Sequence, residues 1–149
     1  MLTIKKILCP TDFSEASLKG LDYAADLAAL FKAEIQVLYV MPVLPPAPTD
    51  PNISFEVPEF ERLVHKDSEK KLQALVDTRL PKTVKATAVV GHGAAAKEIV
   101  RVAEEGKADL IVIATHGHSG WHHLVLGSVA EKVIRLAHCP VFAYREFRK

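Results

Sequence analysis

Three glycines and a serine stand out in the segment that runs from Ala114 to Ser128. Gly117 and Gly120 let the backbone approach a ligand with no Cβ in the way. Gly127 and Ser128 precede an apolar helical pattern, and the first amides of a helix have no partner within it. Those amides and the positive end of the helix dipole attract anions such as phosphate. The spacing predicts a phosphate-binding loop in which Ser128 caps the helix or donates its hydroxyl to phosphate. The alternative is a flexible turn before an ordinary capped helix.

The commoner phosphate-binding motifs are absent. The sequence has neither the Gly-x4-Gly-Lys-Ser/Thr loop nor a Gly-x-Gly-x-x-Gly turn after its first apolar run. The segment 114–128 also contains no lysine that would neutralise a terminal phosphate. Phosphate contacts from this loop are therefore expected to come mainly from backbone amides.

Four histidines in the same segment raise the question of a metal site: His116, His118, His122 and His123. His118 and His122 have i, i+4 spacing but lie in a predicted loop with no neighbouring cysteine or carboxylate. Zinc sites need three or four ligands held by supporting contacts. We therefore expect no native metal site here.

Apolar periodicity divides the chain into alternating strands and helices. Strands are predicted over 4–9, 34–40, 83–90, 110–115 and 140–145. Helices are predicted from a Ser14 cap to about residue 31, and over 60–80, 94–105 and 128–137. The inner stripe of the second helix is predicted to be Phe60, Leu63, Val64, Leu72, Leu75, Val76 and Leu80. Six prolines between residues 41 and 58 predict an irregular surface loop.

The β-α-β-α-β-α-β-α-β order predicts one α/β domain over residues 1–149, doubly wound, with a five-stranded parallel sheet and helices on both faces. The unalternating run at 110–114 indicates a strand covered on both sides. In the strand order 3-2-1-4-5, ligands bind at the carboxyl ends of strands one and four. The residues that would meet there are Pro10, Thr11 and Asp12 after strand one, and Ala114 onward after strand four.

Composition excludes several classes of protein. Among 149 residues, 49% are apolar, 25% are charged, and the formal net charge is +1, which gives no basic surface for nucleic acid or an anionic membrane. No apolar run reaches the roughly 18 residues of a membrane span, and the first residues lack the features of a signal peptide. Cys9 and Cys139 are expected to be free thiols in a reducing cytoplasm. No serine or cysteine lies in a recognisable nucleophile motif, so no catalytic residue is predicted.

Three segments resemble the universal stress protein family: KILCPTDFS at 6–14, ADLIVIATHG at 108–117 and GSVAEKVI at 127–134. The ATP-binding branch of that family is similar in its Gly-x2-Gly-x9-Gly-Ser/Thr signature. Here Gly117 and Gly127-Ser128 match with nine residues between them, whereas the first glycine falls on Ala114. Alanine adds a methyl group and disfavours a positive φ.

The resemblance implies an adenine-nucleotide α-hydrolase-like fold that binds ATP, with or without Mg²⁺. It implies that Pro10, Thr11 and Asp12 contact the nucleoside and that Val40, also a core residue, lies beside adenine. It further implies that the phosphates are wrapped by two segments, which comprise Ala114, Gly117, His118, Ser119 and Gly120, then Gly127, Ser128 and Val129.

The implied function is nucleotide-dependent regulation in a stress response, with slow hydrolysis at most because no base or arginine is evident for the γ-phosphate. Two alternatives remain open. One is a slow ATPase or nucleotide-using enzyme with a loop histidine as general base, and the other is an interaction module without a ligand. The strand at 140–145 is expected at the sheet edge, where the resemblance implies pairing with a second copy in a homodimer.

Overall fold

The computed structural model describes residues 1–43, 57–115 and 126–146. Five strands alternate with four helices in these ranges. The elements are β1 (Lys6–Pro10), α1 (Glu15–Phe31), β2 (Glu34–Met41), α2 (Val57–Arg79), β3 (Ala86–His92), α3 (Ala95–Glu105), β4 (Leu110–Ala114), α4 (Ser128–Leu136) and β5 (Val141–Tyr144).

The strands form one parallel sheet in the order β3-β2-β1-β4-β5. This confirms the predicted fold class and strand order. The register places Leu8 of β1 beside Ile111 of β4, so the two strands run side by side to the carboxyl edge of the sheet. Because β1 connects to β2 on one side and β4 leads to β5 on the other, the chain reverses its direction of winding between them.

Helices α1 and α2 cover one face of the sheet. Ile7, Val37 and Val112 point to that face and pack with Leu21 of α1 and Leu72 of α2 in a single buried cluster. Each of these five side chains is 0% exposed, so each contributes about 1.5–3 kcal/mol of burial free energy.

Helices α3 and α4 cover the other face. Leu8, Leu38 and Ile111 alternate to this side and pack with Ile99 of α3 and Val133 of α4. β4 is therefore buried on both faces, as its unalternating sequence predicted. The two layers leave the carboxyl edge of the sheet as the place where loops from both faces meet.

The prediction for α2 was wrong about its first turns. Phe60 and Leu63 are 41% and 56% exposed, whereas the buried positions farther along are Leu72, Val76 and Leu80. The reason is the length of the helix relative to the sheet. His65 already stacks on His92, the last residue of β3, with ring centroids 4.8 Å apart. Residues before His65 therefore lie past the end of β3, the strand against which α2 mainly packs.

Several boundaries also differ from the predictions. β1 begins at Lys6 and not at Ile4, and β3 covers 86–92 where 83–90 was predicted. Val84 is buried, but its N–H bonds to the carbonyl of Pro81 in a turn, so an apolar residue before the strand was mistaken for part of it. Phe31, predicted on the inner face of α1, is 39% exposed at the last turn.

Candidate functional site

Two backbone hydrogen bonds extend the sheet past the ends of its central strands. Thr11 N–H donates to the carbonyl of Leu38 at 2.8 Å, and Thr115 N–H donates to that of Tyr144 at 2.8 Å. The segments that follow β1 and β4 are thereby held at neighbouring places on the carboxyl edge. The predicted proximity of the Pro10–Asp12 segment and Ala114 is consistent with this geometry.

The turn after β1 holds Asp12 against the start of α1. Its Oδ1 accepts the N–H of Ser14 at 3.0 Å, a contact within the turn itself. Ser14 is the N-cap, and its side chain accepts the N–H of Ser17 at 3.2 Å, as predicted for this helix. Asp12 is half-buried and so presents a carboxylate at the edge while it braces the turn.

Ala114 closes β4 in extended backbone, paired in register with Tyr144. It is not among the residues of positive φ in the described part of the chain, which are Phe13, Lys32, Lys107 and Gly93. The left-handed conformation that would penalise alanine at this position does not occur here. The departure from the glycine signature is therefore compatible with the local backbone.

The start of helix α4 contradicts one of the two roles predicted for Ser128. The N-cap is Gly127, with φ −56° and ψ 144°, which has no side chain that could cap the first turn. Ser128 is the first helical residue and is exposed, so the prediction that it caps the helix was wrong. Gly127 N–H donates to the carbonyl of Thr115 at 2.7 Å and so ties the start of α4 to the end of β4. The first amides of α4 thus lie next to the end of β4, behind an N-cap residue that has no side chain.

Charge at this helix start is modest. Val129 is 38% exposed, and Glu131 in the first turn is exposed as well. Solvent and salt screen an exposed carboxylate, so its repulsion of a bound anion is weak compared with the attraction of the amides and the helix dipole.

Val40 lies one strand farther along the edge. It pairs in register with Gly91, and its side chain packs, half-buried, against the cluster beneath α3 and α4. The predicted core role of Val40 is confirmed. Beside it, a Cβ built on Gly91 would lie 2.8 Å from Cγ and Oε1 of Glu98, so any larger residue at this strand position would require the Glu98 side chain to move.

Part of the predicted site lies outside the described residues: Gly117, His118, Ser119, Gly120 and the histidine cluster from His116 to His123. Within the described ranges, no group of three or more His, Cys, Asp or Glu side chains could hold a metal ion. Both cysteines are free thiols, as expected.

Sequence reasoning missed three residues that shape the turn around Asp12: Phe13, Ser17 and Tyr39. Phe13 has a φ of 63°, and its ring lies 5.0 Å from that of Tyr39. Ser17 is buried, and its hydroxyl lies 2.9 Å from that of Thr11. The only sequence signal was the spacing of Ser14 and Ser17, which places both in the first turn of α1.

β5 lies at the edge of the sheet, as predicted. Phe142 on this strand is 40% exposed, and Tyr23 of α1, itself 44% exposed, packs against it and against Tyr144. The centroid of the Tyr23 ring lies 6.2 Å from that of Phe142 and 4.7 Å from that of Tyr144. The edge therefore carries an aromatic cluster that is partly open to solvent.

No helix in the described parts of the chain has both the length and the apolar character needed to cross a bilayer.

Comparison with known proteins agrees with this architecture. The model of the universal stress protein family matches residues 3–145. The chain is 37% identical to universal stress protein MJ0531 of Methanocaldococcus jannaschii over 145 residues, which cover 97% of this chain and 84% of that one. It is 33% identical to universal stress protein YxiE of Bacillus subtilis, with 94% and 98% covered. The solved structure of M. jannaschii MJ0577 superposes with a TM-score of 0.79 at 27% identity over 99% of both chains. The chain belongs to the universal stress protein family.

Proposed function

We propose that the chain binds an adenine nucleotide, ATP, at the carboxyl ends of β1 and β4, and that occupancy regulates its part in a stress response. One observation carries the proposal: the N-cap of α4 is Gly127, which brings no side chain to cap the first turn, and its N–H holds that turn to the end of β4 at Thr115. The first amides of a helix have no partner within the helix, and at the switch point of a doubly wound sheet such amides favour a phosphate.

Relatives of the same fold support the ligand class. A universal stress protein was solved in complex with cAMP (TM-score 0.62, 23% identity), and one from Archaeoglobus fulgidus in complex with dAMP (TM-score 0.65, 21% identity). At these identities the likeness extends to the fold and not to individual contacts. An adenine nucleotide is therefore a ligand that this architecture accommodates, and ATP is our proposal for this chain.

The proposed contacts follow the order of the strands along the edge. Pro10, Thr11 and Asp12 meet the nucleoside, and the backbone of Val40 meets the base. The phosphates are bound by the segment from Ala114 through Gly117, His118, Ser119 and Gly120, and by Gly127, Ser128 and Val129. Mg²⁺ that accompanies ATP is held mainly by phosphates and water and needs only one or two carboxylates. Asp12 supplies a carboxylate of that kind at this edge.

We propose a binding protein rather than an enzyme, with hydrolysis that is slow at most. Preorganised groups that stabilise the transferring phosphate and orient water are what accelerate such reactions. The described part of the edge offers amides and Asp12, whose Oδ1 already accepts the N–H of Ser14.

Two further properties are proposed. The chain forms a homodimer through the strand at 140–145, since an exposed aromatic edge favours pairing with a second copy. Monomeric behaviour at micromolar concentration in analytical ultracentrifugation would contradict this. The protein acts in the cytoplasm as one domain over residues 1–149, and the two free thiols are consistent with a reducing compartment.

The experiment compares two new helix caps. In Gly127→Asp, the carboxylate caps α4 and occupies the place proposed for phosphate. In Ala94→Asp, it caps α3, whose N-cap also makes no side-chain hydrogen bond. Ala94→Asp should stabilise the fold by about 0.5–2 kcal/mol and Gly127→Asp by a few tenths of a kcal/mol, because glycine is already a tolerable N-cap, yet only Gly127→Asp should abolish ATP binding in calorimetry. ATP binding by both variants at the wild-type affinity would place the phosphates elsewhere.

The nucleotide content of purified protein separates the three functions. After denaturation, released ATP supports a binding switch, whereas released ADP or AMP indicates turnover. Protein that carries no nucleotide and takes up none when ATP is added would favour the interaction module.

A further inference from the structure

A relay of hydroxyl groups runs beneath the turn at Asp12. Phe13 N–H donates to Thr11 Oγ1 at 3.0 Å, Thr11 Oγ1 and Ser17 Oγ are 2.9 Å apart, and Ser17 Oγ donates to the carbonyl of Ser14 at 2.9 Å. A hydroxyl has one proton. Because the Ser17 hydroxyl proton is donated to the Ser14 carbonyl, the Thr11 hydroxyl must donate to Ser17 Oγ. The three hydrogen bonds therefore all run in one direction, from the Phe13 N–H to the Ser14 carbonyl, and hydrogen bonds arranged in this way polarise one another.

The relay fixes an uncommon backbone conformation. Phe13 has a φ of 63°, which a bulky side chain adopts only where surrounding contacts enforce it. One contact is the bond from its N–H to Thr11, and the other is the packing of its ring on Tyr39, tilted by 54°. The residues on both sides of Asp12 are thereby locked.

Thr11 and Asp12 differ in how far their side chains are exposed to solvent. Thr11 is 5% exposed and Ser17 is 6% exposed, and their hydroxyls are used in the relay. Asp12 is half-buried, and Oδ1 is oriented by the N–H of Ser14. We infer that Thr11, Phe13 and Ser17 are positioning residues that set the Asp12 carboxylate at the ligand edge. The inference rests on the proposed nucleotide site and assigns the Thr11 hydroxyl an indirect role there.

The first test measures ATP affinity by calorimetry in a double-mutant cycle. Thr11→Val keeps the shape of the side chain and removes the relay, and it should weaken ATP binding about tenfold. Thr11→Ser keeps the hydroxyl and should bind within about twofold of wild type. In an Asp12→Ala background, Thr11→Val should change the affinity less than about twofold, because the group being positioned is gone. Equal losses in both backgrounds would overturn the inference.

The second test needs no nucleotide. Amide hydrogen exchange at Phe13 and Ser14 should accelerate about tenfold or more in Thr11→Val and Ser17→Ala, relative to global unfolding. Thr11→Ser should retain the protection, and so should Ser68→Ala, which removes a buried hydroxyl from α2 as a matched control. If wild type binds no ATP, the nucleotide proposal fails, and exchange alone decides the inference. Unchanged protection in Thr11→Val would then overturn it, and loss of protection would support it.

Discussion

The methyl group of Ala114 lies against Gly20 of α1. A Cβ built on Gly20 would come within 3.8 Å of the Ala114 Cβ and 3.7 Å of its backbone nitrogen, which is ordinary contact distance. The α4 helix packs on the opposite face of the sheet, through Ala130 and Val133. The side chain at position 114 therefore faces a helix and not the start of α4, where we propose that phosphate binds.

Replacing Ala114 by glycine should leave ATP affinity within about twofold of wild type. It should also lower the free energy of unfolding by about 0.5–1 kcal/mol, because glycine loses more backbone freedom in a strand and leaves the contact with α1 unfilled. Calorimetry and urea titration measure the two effects.

The matched control adds a methyl group at Gly20, the partner of Ala114 in this contact. Gly20→Ala removes a glycine from a helix interior and should stabilise the fold by up to about 1 kcal/mol with unchanged affinity. If Ala114→Gly instead binds ATP tenfold or more tightly, the alanine does restrict the site, and our placement of its side chain is wrong.

The sheet could be predicted from sequence because its signals are local. The run from Leu110 to Ala114 has no polar alternation, and its central residues Ile111 and Val112 are 0% exposed. Ser14 is a capping residue by chemistry alone, and its cap is present. The alternation of strands and helices with right-handed crossovers then admits the order 3-2-1-4-5, which the sheet has.

The turn at Asp12 could not be predicted, because its contacts arise only once the fold places the side chains of Thr11, Ser17 and Tyr39 around it. Nothing local marks Phe13 for a positive φ, since the enforcing ring belongs to Tyr39 on the next strand. Ser17 reads as a surface residue of α1 until Thr11 is placed beside it. The exposure of Phe60 likewise depends on where β3 ends, which the periodicity of α2 does not encode.

Two substitutions at Phe13 should separate its backbone strain from its packing. Phe13→Gly and Phe13→Ala both remove the ring from Tyr39, but glycine adopts φ 63° without penalty. The glycine variant should therefore be more stable than the alanine variant by about 1–2 kcal/mol in urea unfolding. Equal stability would mean that the turn relaxes to a negative φ once the ring is lost.

Cys9 should be inert in the folded protein. It is 1% exposed in β1, and burial, with a smaller contribution from the charge of Asp22, raises the pKa of its thiol to about 12. Because the thiolate is the reactive form, Ellman's reagent at pH 8 should modify Cys9 only at the rate of global unfolding.

The half-buried Cys139 serves as the internal comparison for this labelling. Burial raises its pKa too, but its partial exposure should let it react first. A Cys139→Ser variant should then show no fast phase. Rapid modification of that variant would contradict the burial of Cys9.

The free energy of unfolding should decrease in acid, in part because the Glu98 carboxylate becomes protonated. Arg101 donates to its carboxylate from Nε at 2.9 Å and Nη2 at 2.6 Å, and these bonds lower the Glu98 pKa below its ordinary value, with a smaller contribution from the backbone of His92. Since the folded pKa lies below the unfolded one, the stabilisation is complete above the unfolded value of about 4.3 and is lost as pH falls through the folded pKa.

Glu98→Gln should therefore be less stable at pH 7 and show a flatter decline between about pH 5 and 3 in urea unfolding. Glutamine keeps the volume packed against Gly91 but removes the charge and one of the two oxygens that accept from Arg101. Glu105→Gln removes the exposed second carboxylate on Arg101 and should leave the slope nearly unchanged. Parallel pH profiles for wild type and Glu98→Gln would show that this carboxylate does not drive acid unfolding.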